Sequence, residues 1–307
     1  MTWRVATRRS ALARAQAQQV ADALAAASAR PAELVPLTTT GDEHPDRAVE
    51  SFDAKGLFVD GIREAVRDGR ADIAVHSYKD LPTIRSPGLV IGAVPTRLDP
   101  RDALVTREGH GVARLPRLAT VGTSSARRRA QLARARRDLV LQPVRGNVDT
   151  RLRRVADGDL DGVVLALAGL ARLGPTEHAV NAVVLEHGEC LHAPAQGALA
   201  IECREDDDAT LEALHALDDT ATRALIRAER ALLEEMSGGC TAPIGAHAAY
   251  VSESRIELLG MVSDPSGTNL YRASHQGAAH DPAALGVALA ITLLDAGGRD
   301  VLDRLRA

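Results

Sequence analysis

The sequence predicts an α/β protein that closes in a small α+β domain, and three observations lead there. Short apolar runs alternate with amphipathic stretches of helical period through the first two thirds, the pattern of strands linked by helices. The last third changes character, with three runs of alternating apolar and polar residues joined by turn formers. At 307 residues the chain also exceeds what one hydrophobic core usually serves, so two or three domains are expected.

An apolar strand at 3–7 leads into a helical stretch at 10–29, and a helix at 57–68 precedes an apolar strand at 72–77. The alternation continues with a strand at 119–122, a helix from Ser124, a strand at 139–144, a helix from Asn147 and a strand at 162–167. A strand-like run at 197–203 follows the loop 192–196, and a long helical pattern then reaches about Met236. The three alternating runs are 244–251, 255–262 and 269–276, with Asp264-Pro265-Ser266-Gly267 as one of their turns, which reads as an antiparallel meander. Residues 282–305 read as a closing helix.

Composition narrows the function. Aromatics are 2% of the chain against 45% for the hydrophobic class, so aliphatic side chains form the core and base-stacking platforms are not expected. The net charge of −4, with no familiar nucleic-acid module, argues against nucleic acid as a partner. Neither a secretory signal nor an apolar run of about 20 residues is present, so a cytoplasmic protein without a membrane span is expected. Cys190, Cys203 and Cys240 show neither CxxC nor CxxH spacing, which predicts reduced thiols and no metal site. Only two of the 37 basic residues are lysines, Lys55 and Lys79, which marks both as candidates for sites that need a compact ammonium.

Several segments place anion-binding groups where strands give way to helices. Gly122-Thr123-Ser124-Ser125-Ala126-Arg127-Arg128 offers hydroxyls and backbone N–H groups at a helix start, with arginines on the first turn. Arg145-Gly146-Asn147, with Arg151 one turn on, repeats the design, as do Arg8 and Ser10 in an echo near the N-terminus. Guanidinium forks match carboxylates, and no phosphate-binding glycine motif occurs, so several arginines imply a ligand with several carboxylates. Ser77-Tyr78-Lys79-Asp80-Leu81-Pro82 leaves an apolar strand and presents Asp80 as a group able to stabilise a developing cation or shuttle a proton. Ser237-Gly238-Gly239-Cys240 presents a thiol behind two glycines, which suits covalent use; Cys190 and Cys203 lie in or beside apolar runs as packing residues.

Together these segments, with Ala6-Thr7-Arg8 and Lys55-Gly56-Leu57-Phe58, resemble the porphobilinogen deaminase family along essentially the whole chain. The resemblance implies two periplasmic-binding-protein-like lobes with mixed sheets around a cleft, and a C-terminal α+β domain with a three-stranded antiparallel sheet. Its boundaries would be 1–96 with 196–214 for the first lobe, 97–195 for the second and 215–307 for the last domain. It further implies a dipyrromethane cofactor bonded through Cys240, onto which four porphobilinogen molecules condense with loss of ammonia before hydroxymethylbilane is hydrolysed off. Asp80 would be catalytic, and Ser77, Lys79, Asp80, Thr123, Ser125, Arg127, Arg128, Arg145 and Gly146 would bind the cofactor. Arg8, Ser10, Lys55, Arg145, Arg151 and Arg172 would bind substrate, in a monomer. Asp53-Ala54, Asp60-Gly61, Tyr78 and Thr241 depart from the family's common residues.

Two rival readings use the same residues. A bilobed small-anion-binding protein would need the lobes but neither the third domain nor a thiol loop. A thiol enzyme with Cys240 as transient nucleophile would need a base, and His247 is the only histidine near it in sequence.

Overall fold

The computed structural model describes residues 2–37, 56–174, 181–236 and 242–306. The chain divides into two compact units, Met1–Leu98 with Ala198–Arg223, and Asp99–Gly197 with Ala224–Ala307. In chain order the first stretch runs β1 (Trp3–Arg8), α1 (Ala11–Ser28), β2 (Ala32–Leu37), α2 (Gly56–Arg67), β3 (Ile73–Ser77) and β4 (Leu89–Ala93). The second runs β5 (Asp102–Thr106), β6 (Thr120–Gly122), α3 (Ala126–Ala135), β7 (Val140–Gln142), α4 (Val148–Ala156), β8 (Gly162–Ala166), α5 (Leu167–Leu173) and β9 (Ala182–Leu185). The chain returns to the first unit in β10 (Leu199–Arg204) and α6 (Asp208–His215), and α7 (Thr220–Glu235) leads to β11 (Ile244–Ser252), β12 (Arg255–Ser263) and β13 (Leu270–Ala278). Helices α8 (Pro282–Leu293) and α9 (Arg299–Arg306) close it. No described helix is long and apolar enough to cross a membrane.

The first unit is built on a five-stranded sheet ordered β2-β1-β3-β10-β4, in which β10 runs antiparallel to both neighbours and the rest pair in parallel around β1. A sheet covered on both faces needs apolar residues on both, which is why its central strands read as continuous apolar runs. Val20 and Leu24 of α1 pack with Val5, Ile73 and Ile201 on one face, and Ile62 and Val66 of α2 with Ala6 and Ala74 on the other. The second unit repeats the plan in β7-β6-β8-β5-β9, with β5 as the antiparallel strand. The echo in the sequence therefore marks equivalent turns: β1 enters α1 and β6 enters α3, each helix capped by a serine, Ser10 or Ser125.

The remaining sheet, β11-β12-β13, is an antiparallel meander as expected, packed through Ile256 and Leu258 against Leu232 of α7 and Leu289 of α8. The carboxylate of Asp264 organises the predicted turn by accepting from the backbone N–H of Ser266 at 2.9 Å and of Asn269 at 2.8 Å. Gly267 there has φ +74°, and a Cβ on it would lie 2.0 Å from the Ala130 carbonyl oxygen of α3, so the turn requires glycine twice over. The single helix expected over 282–305 is instead broken at Leu294–Gly298, where Gly297 takes φ 121° beneath the Tyr271 ring. Apolar periodicity continues through the break, so the pattern does not reveal it. Strands β2, β4, β5 and β9 are not among the expected strands; β2 carries Glu33 and Pro36 among its apolar residues, and β5 opens on a charged residue.

The returning strand β10 is tied into the first unit by charge. Arg63 grips Glu202 with both arms of its fork at 2.8 and 2.7 Å, and His76 Nε2 lies 3.1 Å from the same carboxylate, all three side chains being buried. Burial pushes the Glu202 carboxyl up, but His76 and Arg63 outweigh it and hold it down at about 2. A depressed carboxyl stabilises the fold above its unfolded value near 4.5 and loses that contribution as pH falls from there toward 2. Lowering pH from 7 to 3 should therefore cost the wild type about 2 kcal/mol more in urea unfolding than it costs Glu202→Gln, and equal losses would refute the pairing.

Candidate active site

In the first unit the site residues stand at the C-terminal ends of β1 and β3, which are parallel neighbours with Val5 opposite Ile73. Strand β3 has four buried residues and then Ser77, after which the chain makes one 3-10 turn, Tyr78–Asp80. The turn is closed by Leu81 N–H donating to the Tyr78 carbonyl at 3.2 Å, and is anchored by Leu81, buried with Val59 and Ala200. That anchor is what leaves Asp80 exposed on a fixed backbone, with Lys79 half-buried beside it. Gln16, buried on α1, donates to Ser77 Oγ at 2.9 Å. Ser10 Oγ accepts from Ala13 N–H at 3.3 Å, and Arg8 ends β1 next to this cap.

In the second unit the matching edge carries three loops. Thr123 follows β6 and is buried, its Oγ1 accepting from Ser125 N–H at 3.2 Å, and Ser125 Oγ in turn accepts from Arg128 N–H at 3.4 Å. Ser124 Oγ lies 2.7 Å from the Val144 carbonyl and 3.0 Å from its N–H, which joins this loop to the one after β7. There Arg145 is exposed, Gly146 takes φ +94°, Asn147 caps α4 and Arg151 Nε donates to the Gly146 carbonyl at 2.8 Å. Beyond β8, Arg172 on α5 donates to the Gly197 carbonyl at 2.8 Å. Strand ends of this kind are where α/β sheets bind ligands.

Arg127 and Arg128 stand on the first turn of α3, as the sequence predicts, and the structure adds a partner that the sequence does not show. They belong to the buried face of α3 and converge on Asp102, itself fully buried, at 2.9 and 2.6 Å. Arg127 also donates to the Leu191 carbonyl at 2.5 Å, and Arg128 to that of Val164 at 2.8 Å. Gln196 completes the cluster, its Nε2 donating to Asp102 at 2.8 Å and to the Pro100 carbonyl at 2.7 Å. Burial pushes the Asp102 carboxyl up, yet the two guanidiniums reverse this and hold it far below the usual range. Their principal partner is thus a carboxylate of the protein, but Arg128 Nε, also buried, has no hydrogen-bond partner among the described residues.

Asp102 and Gln196 were missed in the sequence. The available signal was a carboxylate opening the apolar run Ala103-Leu104-Val105, because a buried carboxylate demands cations.

The other arginines differ in kind. Burial lowers Arg151, and repulsion from Arg128 lowers it further; burial alone pushes Arg172 down to about 10. Arg172 Nε is another buried N–H without a partner among the described residues. Cations that are partly stripped of water in this way attract an anionic ligand. Cys190 and Cys203 are buried, as expected of packing residues, and burial pushes them up to about 12 and about 11, which disfavours the reactive thiolate. Cys240, Thr241 and Lys55 lie outside the described residues.

Two family models match this chain: "Porphobilinogen deaminase, dipyromethane cofactor binding domain" over residues 3–212, and "Porphobilinogen deaminase, C-terminal domain" over 224–295. The chain belongs to the porphobilinogen deaminase family. Among curated relatives, a porphobilinogen deaminase of Nocardia farcinica is 49% identical over 312 residues, covering 99% of this chain and 89% of the relative. One from Acidothermus cellulolyticus is 47% identical, covering 98% and 91%, and one from Mycobacterium marinum is 47% identical, covering 97% and 96%. The family match spans both units, so the loops of each belong to a porphobilinogen deaminase framework.

Proposed function

We propose that this protein condenses four porphobilinogen molecules head to tail, with loss of ammonia, on a covalent primer and then releases hydroxymethylbilane by hydrolysis. The observation that carries the reading is the near-complete match to porphobilinogen deaminases, within which an exposed carboxylate stands on a fixed turn in a chain rich in arginine. The same reading takes the protein to be a cytoplasmic monomer, organised as two lobes, 1–96 with 196–214 and 97–195, and a C-terminal domain, 215–307.

Dipyrromethane, held as a thioether on Cys240, supplies a pyrrole with a free α-carbon as the first nucleophile. The chemistry of the described residues fits it, because each pyrrole carries an acetate and a propionate. Buried N–H groups on Arg128 and Arg172 have no partner among the described residues, and the capped helix starts at Ser10, Ser125 and Asn147 favour carboxylates. We assign Arg128, Arg145, Lys79 and the Thr123–Ser125 loop to the primer's carboxylates, and Arg8, Ser10, Arg151, Arg172 and Lys55 to incoming substrate. Arg127 has a different part, holding Asp102 and Leu191 so that Arg128 is aimed.

Asp80 accepts hydrogen bonds from pyrrole N–H groups and stabilises the positive charge that develops as ammonia departs and as the new carbon–carbon bond forms. A fixed anion aimed at a developing cation lowers the barrier because its position requires no reorganisation during the reaction. Lys79 and the arginines balance the carboxylates and leave the charge of Asp80 available to the reacting ring.

Purified protein given porphobilinogen should release one ammonia for each molecule consumed and yield a linear tetrapyrrole. A protein that binds porphobilinogen and releases no ammonia would instead favour the bilobed anion-binding reading.

A further inference from the structure

Three histidines from separate segments of the second unit converge, none of them among the residues assigned to the reaction. His187 lies in the turn after β9, His192 in the segment before β10, and His247 on β11. One ring nitrogen from each falls within 4.8 Å of the others. The backbone around two of them is tightly held. Ala246 N–H donates to the His192 carbonyl at 3.0 Å, and buried Glu229 accepts from Ala195 N–H at 2.7 Å and Ala248 N–H at 2.9 Å. Gly245 permits this approach, since a Cβ there would stand 3.0 Å from the Leu191 carbonyl oxygen and 3.2 Å from that of His192.

The proton positions follow from the partners. His192 Nδ1 lies 2.9 Å from the Ala193 carbonyl oxygen, which only accepts, so Nδ1 carries the proton and Nε2 presents its lone pair. That lone pair accepts a hydrogen bond from His247 Nδ1 at 3.0 Å, and a bound ion would replace the proton between the two rings. An imidazole whose far N–H is fixed by a backbone carbonyl while its near nitrogen offers a lone pair has the orientation that metal-ligating histidines adopt. Two nitrogens at about 2.0–2.1 Å from a tetrahedral ion stand roughly 3.3 Å apart, so His192 and His247 need separate by only about 0.3 Å. The His187 ring stacks on His247, with 3.8 Å between centroids and 26° between planes. It must leave that stack to ligate, and its broad χ2 torsion allows the turn.

We propose that His187, His192 and His247 form a binding site for a borderline divalent metal ion of the zinc class. Three imidazoles without thiolate or carboxylate suit zinc, nickel or copper and disfavour magnesium and calcium, and a fourth position would be left to water. The ion would clip the turn after β9 to β11. The same segment is gripped on its other side by Arg127 and Gln131, which donate to the Leu191 carbonyl at 2.5 and 3.0 Å. The site does not depend on the reaction proposed above. The sequence shows His187 and His192 with four residues between them, a spacing that zinc ligands use, but His247 is 55 residues further on and nothing local points to it.

Calorimetric titration of the holoenzyme with Zn2+ alone tests this, with Co2+ absorption as a second measurement. One equivalent should bind, and His187→Gln and His247→Phe should each weaken binding at least tenfold while thermal unfolding without metal stays cooperative. Both variants keep all three cysteines, so uptake by thiols would be unaffected by them. No binding at millimolar Zn2+, affinity unchanged in His187→Gln, or an intense sulfur-to-cobalt charge-transfer band in place of weak nitrogen-ligand bands would overturn the site.

Discussion

In Asp80→Asn, the rate of elongation should fall by about two to three orders of magnitude while the adduct on Cys240 persists. Asparagine keeps the shape and a carbonyl acceptor for a pyrrole N–H but removes the negative charge. The lost interaction is strongest when the ring carries positive charge, so the loss should appear in kcat with KM little changed. Asp80 is exposed, and its turn is held by Leu81, so the fold does not depend on the carboxylate. Near-normal turnover, or a loss confined to KM, would remove Asp80 from the catalytic role.

The second large effect is on stability. Asp102→Ala strands two buried guanidiniums, Arg127 and Arg128, with no carboxylate between them. Breaking a buried ion pair by removing one partner costs about 3–5 kcal/mol, because the remaining charge stays out of water. The urea midpoint should drop by the corresponding amount with m unchanged, and Arg128 should lose the aim that this account gives it toward the primer. The triple variant Asp102→Ala, Arg127→Met, Arg128→Met should regain much of the stability, since it removes the stranded charges, without regaining primer assembly. A stability loss below about 1 kcal/mol in Asp102→Ala would show that the cluster is solvated.

Much of the framework was legible because it follows local periods. Continuous apolar runs gave β1, β3 and β8, helical spacing gave α1 and α2, and alternation gave the meander. The position of Asp80 follows from the same pattern, since the chain leaves a buried strand there and the structure puts Asp80 exposed on the turn after β3; its role rests on the family resemblance. The environment of Arg127 and Arg128 was not. Position on a helix's first turn does not say which face is buried, and their partner is 25 and 26 residues earlier on a neighbouring strand. The break at Gly297 and the convergence of the three histidines likewise depend on tertiary contacts that no local window contains.

The intact mass of the purified protein tests the central claim most directly. An added mass equal to one dipyrromethane is expected in the wild type and in Asp80→Asn, absent in Cys240→Ser, with further increments of one pyrrole unit each when wild type meets limiting porphobilinogen. A wild-type protein of unmodified mass that still forms the tetrapyrrole would contradict it.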